Sequence, residues 1–310
     1  MKNKVTSFPD ASGEVNLFTR QWLPDEKPRG VIQGVHGINE HSGRYHRLGQ
    51  YLSQRGFVLA MHDQRGHGLS IRPGERRGLL AETDGWTCLL KDIRQYGELL
   101  QEQFPDTPIF LLGHSMGSFA VRDTLLRWAL PYAGVVLLGS ASNPLWYYDL
   151  GLFLCGVGEK LRGRHYASRL LRNIIFGGYA LPTLAGGSPM AWISRLPEVW
   201  RQYERDEFCR FIPSIGLFEQ MFLGMREMDN PSPLPQNWLN MPLLILYGEK
   251  DPVGRYGKGM RQLTKRLQAE GAKQVTAIAY PGARHELLHE ENTEEVLENL
   301  FAWLNRQVQA

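Results

Sequence analysis

Six short apolar runs separated by amphipathic stretches limit what this 310-residue chain can fold into. They are Val31–Val35, Phe57–Met61, Ile109–Leu112, Val135–Leu138, Leu243–Tyr247 and Val275–Tyr280. Strands apolar on both sides need cover on both faces, and a parallel sheet sandwiched between helices provides it. The intervening stretches supply the helices. Trp86–Phe104 places Leu89, Leu90, Ile93, Tyr96, Leu99 and Leu100 at helical spacing and stops at Pro105. Ser115–Leu130 is closed by Pro131, Gly259–Ala269 stops at Gly271, and Asn292–Gln309 opens with Asn292 or Thr293 as its cap. Such alternation predicts an α/β fold with a doubly wound, mostly parallel central sheet flanked by helices.

The rhythm breaks between Ser142 and Pro235. No buried strand is legible there, and Gly177-Gly178, Gly186-Gly187 and several prolines divide it into short helices. Pro231-Ser232-Pro233-Leu234-Pro235 reads as a stiff return to the sheet. The segment holds fourteen of the chain's 33 aromatic residues. Short helices have much surface for little interior, so part of that aromatic content is expected to line an apolar channel over the site. The predicted organisation is a core, residues 1–141 and 236–310, interrupted by an inserted helical cap, residues 142–235. Trp146–Leu154, apolar but for Asp149, is the expected edge for a transient contact between the cap and a membrane surface.

Composition excludes several classes. A net charge of +3 gives no argument for nucleic acid as a partner. Cys88, Cys155 and Cys209 are too few and too scattered for a disulfide framework or a zinc site, and read as packed free thiols. Met1–Thr6 is polar, unlike a secretory signal, and no uncharged apolar run approaches the ~18 residues of a membrane span. The expectation is a soluble, cytoplasmic protein.

The chemistry-bearing motif is Gly113-His114-Ser115-Met116-Gly117, the single Gly-x-Ser-x-Gly of the chain, set between a predicted strand and a predicted helix. That context is a nucleophile elbow of the α/β-hydrolase kind, a turn so sharp that its flanking positions must be small. A serine hydroxyl needs a base to take its proton, and the base needs a carboxylate to orient it. The order after such an elbow is serine, acid, histidine. Asp251 follows the strand Leu243–Tyr247 and His285 follows Val275–Tyr280, both just past carboxyl ends, where open parallel sheets place their ligands. Glu249 is the weaker candidate acid. His289 stands too far past the strand for the base, and His36 and His41 precede the serine. Two backbone N–H groups must meet the developing oxyanion. Met116, after the serine, is one. Ile38, in the loop His36-Gly37-Ile38-Asn39-Glu40-His41-Ser42-Gly43-Arg44-Tyr45, is the other. Nothing in this chemistry calls for a metal or a cofactor.

The same loop resembles the signature loop of monoacylglycerol lipases and bacterial lysophospholipases, and Asp63-Gln64-Arg65-Gly66-His67-Gly68-Leu69-Ser70 is similar to the family's next loop. The elbow and the Asp251 and His285 segments match as well. The resemblance implies ester hydrolysis under a lid-like cap without a cofactor, with Ser115, Asp251 and His285 as triad and Ile38 and Met116 as oxyanion donors. Ser118 stands where many family elbows carry a second glycine, and the cap is the least matched region.

Other clusters have plainer readings. Asp63 and His67 read as a hydrogen-bonded brace rather than a metal site or a second triad. Lys160, Arg162, Arg164, Arg169 and Arg172 read as a solvated basic face, with an anionic headgroup as the alternative. The predicted function is a serine carboxylic ester hydrolase for single-acyl lipids, a small-molecule ester or lipid substrate being its partner. Alternatives are a broad carboxylesterase, a serine aminopeptidase using Glu204, Asp206 and Glu207 to hold a substrate amine, and a non-catalytic binding protein.

Overall fold

The computed structural model describes residues 1–11, 13, 15–71, 77–180, 188–230 and 234–309. Within them the strands are β1 (Lys2–Pro9), β2 (Asn16–Leu23), β3 (Gly30–Val35), β4 (Phe57–His62), β5 (Ile109–His114), β6 (Gly134–Leu138), β7 (Leu243–Gly248) and β8 (Val275–Tyr280). They form one sheet in the order β1-β2-β4-β3-β5-β6-β7-β8. All six predicted runs are strands, and from β4 to β8 every pairing is parallel. The hairpin β1–β2, which the sequence reading does not place, adds antiparallel to β4. Its polar outer strand is exposed along nearly its whole length, so it lacks the apolar run that marks the others.

Side chains alternate between the two faces of the sheet. Leu111, Val135, Leu137 and Ile245 pack under α2 (Gly85–Gln103) and α3 (Met116–Arg127); Phe110, Leu112, Val136 and Leu244 pack on the opposite face, against α1 (His46–Ser53). Helix α3 ends at Arg127, short of the predicted Leu130. Trp128 is already extended, and Pro131 disfavours helical backbone at Leu130.

Between β6 and β7 the chain leaves the sheet for α4 (Leu145–Arg162), α5 (Arg169–Ala180), α6 (Pro197–Arg205), α7 (Ile215–Asp229) and α8 (Gln236–Asn240). Helix α5 runs through Gly177-Gly178, which therefore does not break it. The predicted break at Gly186-Gly187 and residues 231–233 of the predicted proline linker lie outside the described residues. After β7 come α9 (Lys258–Ala269) and α10 (Thr293–Gln307). Gly271, at φ +103, closes α9: its N–H bonds Gln268 O and that of Ala272 bonds Leu267 O, a Schellman ending. Asn292 stands at the N-cap of α10 without capping it, because its side-chain oxygen accepts from Arg195. Among the described residues no helix is long and apolar enough to cross a membrane.

Candidate active site

The winding of the sheet fixes where a site can form. From β3 the chain steps to β4 on one side and then to β5 on the other, opening a crevice at their carboxyl ends. The register sets Val35 beside Gly113, so the loop leaving β3 and the turn leaving β5 lie side by side. Ser115 sits in that turn at φ 51, ψ −122, a strained state for a residue with a side chain. Its N–H is held by Leu138 O at 3.0 Å. A Cβ at position 113 would lie 2.6 Å from Gly117 O, and one at 117 would lie 2.2 Å from Val35 O. Only glycine fits either place.

Asp251 and His285 arrive from the ends of β7 and β8, both buried, with His285 Nδ1 2.9 Å from Asp251 Oδ2. A carboxylate only accepts, so Nδ1 donates and Nε2 is left as an acceptor. The second carboxylate oxygen takes the Val253 N–H at 2.9 Å. Ser115, His285, Ile38 and Met116 all line one cavity of about 290 Å³. The other candidates stand elsewhere. Glu249 is exposed, and His289 is turned away, with Nε2 on Arg44 O at 3.1 Å. His36 is buried in the core of the loop, its ring nitrogens bonded to Gly37 O and Gln64 N.

A buried ionic network under the β3 loop escaped the sequence reading. Glu40 Oε1 accepts from Gly37 N–H, from Tyr45 OH at 3.0 Å and from His114 Nδ1 at 2.7 Å. Arg44 pairs with Glu286 through two bonds of 2.7 and 2.6 Å. Burial alone would push the Glu40 carboxyl up. The charge and hydrogen bond of His114, with Arg44, outweigh it and hold Glu40 well below the ordinary carboxylate range. Burial likewise works against the His114 imidazolium, but Glu40 raises its pKa. The available signal was the charged Glu40 and Arg44 inside the same loop as Ile38; their partners lie 74 and 242 positions away. Asp63 is a brace, as expected: its carboxylate takes the N–H groups of Ser42 and Leu69 at 2.7 and 2.8 Å, and His67 Nδ1 bonds Arg65 O.

The segment between β6 and β7 roofs the cavity. Seven of the fourteen aromatic residues in 142–235, Tyr147, Phe176, Tyr179, Trp192, Tyr203, Phe211 and Phe222, line the wall, and the Trp192 ring centroid lies 5.2 Å from that of His285. The acids proposed for amine binding do not converge there. Asp206 pairs with His41 at 3.0 Å, Glu207 is exposed and pairs with Arg77, and Glu204 alone reaches the cavity, at its exposed rim, where it accepts from Ser188. The basic run is split: Arg164 faces Glu219 at 3.6 Å, Arg172 lines the cavity, and Lys160, Arg162 and Arg169 are exposed.

Comparison with known proteins decides the family. A family model described as serine aminopeptidase, S33, matches residues 26–292. The chain belongs to this α/β-hydrolase family. Within it, the monoacylglycerol lipase of Mycolicibacterium smegmatis is 30% identical, with 94% of each chain covered. The monoglyceride lipase of Mus musculus is 28% identical over 95% of this chain and 88% of its own. A thermostable carboxyl esterase from Bacillus coagulans, solved with glycerol, superposes with a TM-score of 0.87 at 27% identity, covering 99% of both chains. The chain is thus a serine ester hydrolase of the α/β-hydrolase fold.

Proposed function

We propose that this hydrolase cleaves single-acyl lipid esters, monoacylglycerols foremost, through an acyl-enzyme on Ser115. The observation that carries the reading is the apolar, aromatic-walled cavity directly above Ser115. In the proposed reaction Ser115 Oγ passes its proton to His285 Nε2 and attacks the ester carbonyl. Asp251 holds the imidazole in the required tautomer and stabilises its cation. The N–H groups of Ile38 and Met116 meet the oxyanion. His285 then protonates the leaving alcohol, and a water activated by the same imidazole releases the fatty acid.

Residues 142–235 act in this reading as a lid, and the lid's outer face touches a lipid surface. Trp146, Leu150, Phe153, Val157 and Leu161 are exposed at spacings of three and four, one stripe along α4, and Leu170 and Ile174 are exposed on α5. Exposed Lys160, Arg162 and Arg169 beside the stripe match an anionic bilayer. The stripe differs from the contiguous edge Trp146–Leu154 expected from sequence, because Leu152 and Leu154 turn inward against the core.

The test is kcat/KM over nitrophenyl esters from butyrate to decanoate, beside a monoacylglycerol and lysophosphatidylcholine. Each methylene buried in the cavity contributes about 0.8 kcal/mol at most, up to roughly fourfold per carbon. Rates that rise with chain length, with monoacylglycerol the best natural ester, support the proposal. Butyrate faster than octanoate would make a small-ester carboxylesterase the better description, and a preference for the lysophospholipid would give Arg172 and Arg210 on the cavity wall the headgroup.

A further inference from the structure

The β3 loop touches the roof as well as the floor of the site. On the floor side Glu40 anchors it to His114 and Tyr45. On the roof side the contact is made by Asn39, the residue between Ile38 and Glu40. Its Nδ2 donates to two carbonyls of the segment after α6, Cys209 O at 3.1 Å and Phe211 O at 2.5 Å. Those two bonds fix which end of the amide is nitrogen. Asn39 is 7% exposed, and its Oδ1 is buried without a hydrogen-bond partner. Leaving that oxygen unpaired has a cost that an apolar side chain would avoid, so packing alone does not account for an amide here. The backbone at Asn39 is left-handed, φ 57, a state open to asparagine and glycine but strained for most other residues.

A second tie runs parallel to the first. His41 Nε2 lies 3.0 Å from Asp206 Oδ2. Because His41 Nδ1 accepts the Gly43 N–H at 3.2 Å, Nε2 carries the proton and gives it to the carboxylate. Cys209 stands close to the same pair, and Asp206 Oδ1 takes the Phe208 N–H at 2.8 Å. The segment 206–211 is therefore seated on residues 39–41 by side-chain bonds from the loop itself.

We infer that Asn39 is a positioning residue which couples the seating of the roof to the oxyanion hole: with the 206–211 segment in place, its two bonds hold Ile38 N–H at the oxyanion, and when the segment lifts, that donor is released. This rests on Ile38 being an oxyanion donor. An oxyanion donor acts in the transition state, so its displacement lowers kcat, and a short butyrate chain gives the loosened wall residues Arg210 and Phe211 little part in KM.

The test uses the full chain with Asn39→Asp, which keeps shape but presents oxygens to both carbonyls, and Asn39→Gly, which keeps the left-handed backbone and removes the amide. A donor misplaced by a fraction of an ångström to 1 Å costs between about tenfold and 10²-fold. Both variants are expected to lose kcat on a soluble butyrate ester in that range, with KM within about threefold, and to exchange the amides of residues 206–211 faster in deuterium. A kcat equal to the parent's in Asn39→Gly overturns the inference, whatever the exchange shows. So does a loss that appears only in KM. Should Asn39→Asp not fold, Asn39→Gly decides alone. A Gly37→Ala chain, which displaces the same loop from the floor side, separates the two claims. If it loses kcat while the Asn39 variants do not, only the coupling fails; if none of them loses kcat, the oxyanion assignment fails.

Discussion

Gly37→Ala tests the oxyanion loop from geometry alone. A Cβ at position 37 would sit 2.7 Å from Glu40 Oε1, 2.9 Å from Ser115 Cβ and 3.4 Å from His114 Nδ1. Restoring a 3.4 Å contact requires about 0.7 Å of movement away from Glu40 and about 0.5 Å away from Ser115. Glu40 cannot give way, being held by Tyr45 and His114, and Ser115 is fixed in its turn. The loop must therefore rise, taking Ile38 N–H with it. Such donors work at 2.7–3.1 Å, and losing one costs about 10²–10³ in kcat, roughly 2.7–4 kcal/mol. The loss belongs to the transition state, so kcat and kcat/KM should fall together. The assay is steady-state hydrolysis of a soluble nitrophenyl butyrate, with thermal melting to establish that the variant is folded. Gly156→Ala in α4 is the control: nothing lies within 4 Å of its added Cβ, so kinetics should hold while the helix gains up to about 1 kcal/mol. A folded Gly37→Ala enzyme with kcat within about threefold of the parent would refute the placement of the donor.

Acid sensitivity should trace to buried neutral histidines. Burial, with the neighbouring His36 and Arg65 charges, pushes His62 down to about 3, and burial pushes His67 down to about 3 as well. The unfolded chain takes up these protons below pH 6.5 and the folded chain does not, so stability falls as pH drops, by about 2 kcal/mol per residue between pH 7 and 5. His114, raised by Glu40, works in the opposite sense: its contribution is present below 6.5 and lost as pH rises through its folded value. His62 has both ring nitrogens unpartnered and packs edge-on against Phe8 and Tyr96, so His62→Phe should fold and should remove about 2 kcal/mol of the pH 7-to-5 difference in urea denaturation; an unchanged difference rejects the assignment. Phe153→Ser with Leu161→Ser should weaken co-sedimentation with anionic vesicles and leave soluble-ester kinetics untouched; vesicle binding equal to the parent's rules out the α4 stripe as the contact.

How far the sequence could be read followed from burial. Five of the six predicted strands, β3 to β7, announce themselves because both faces are covered and every residue is buried; β8, at the sheet's edge and only partly buried, shows by its apolar composition alone. The hairpin β1–β2 does not, since an edge ribbon with one wet side carries no such run. The Gly-x-Ser-x-Gly turn was legible because its steric demand is local: Gly113 and Gly117 meet backbone atoms within a few residues or on the adjacent strand. The Glu40–His114 and Arg44–Glu286 pairs were not, because nothing local joins residues so distant in sequence. The roof was half legible. Its aromatic excess pointed to a lined cavity, but helical phase decided that Leu152 and Leu154 face in while Phe153 and Val157 face out.

The central claim is that Ser115 forms the acyl-enzyme. A fluorophosphonate probe, read by mass spectrometry of the labelled peptide beside ester turnover, tests it directly. One label is expected, on Ser115, and a Ser115→Ala chain should melt like the parent but lose both labelling and, by several orders of magnitude, hydrolysis. Labelling or turnover that survives in Ser115→Ala would contradict the claim.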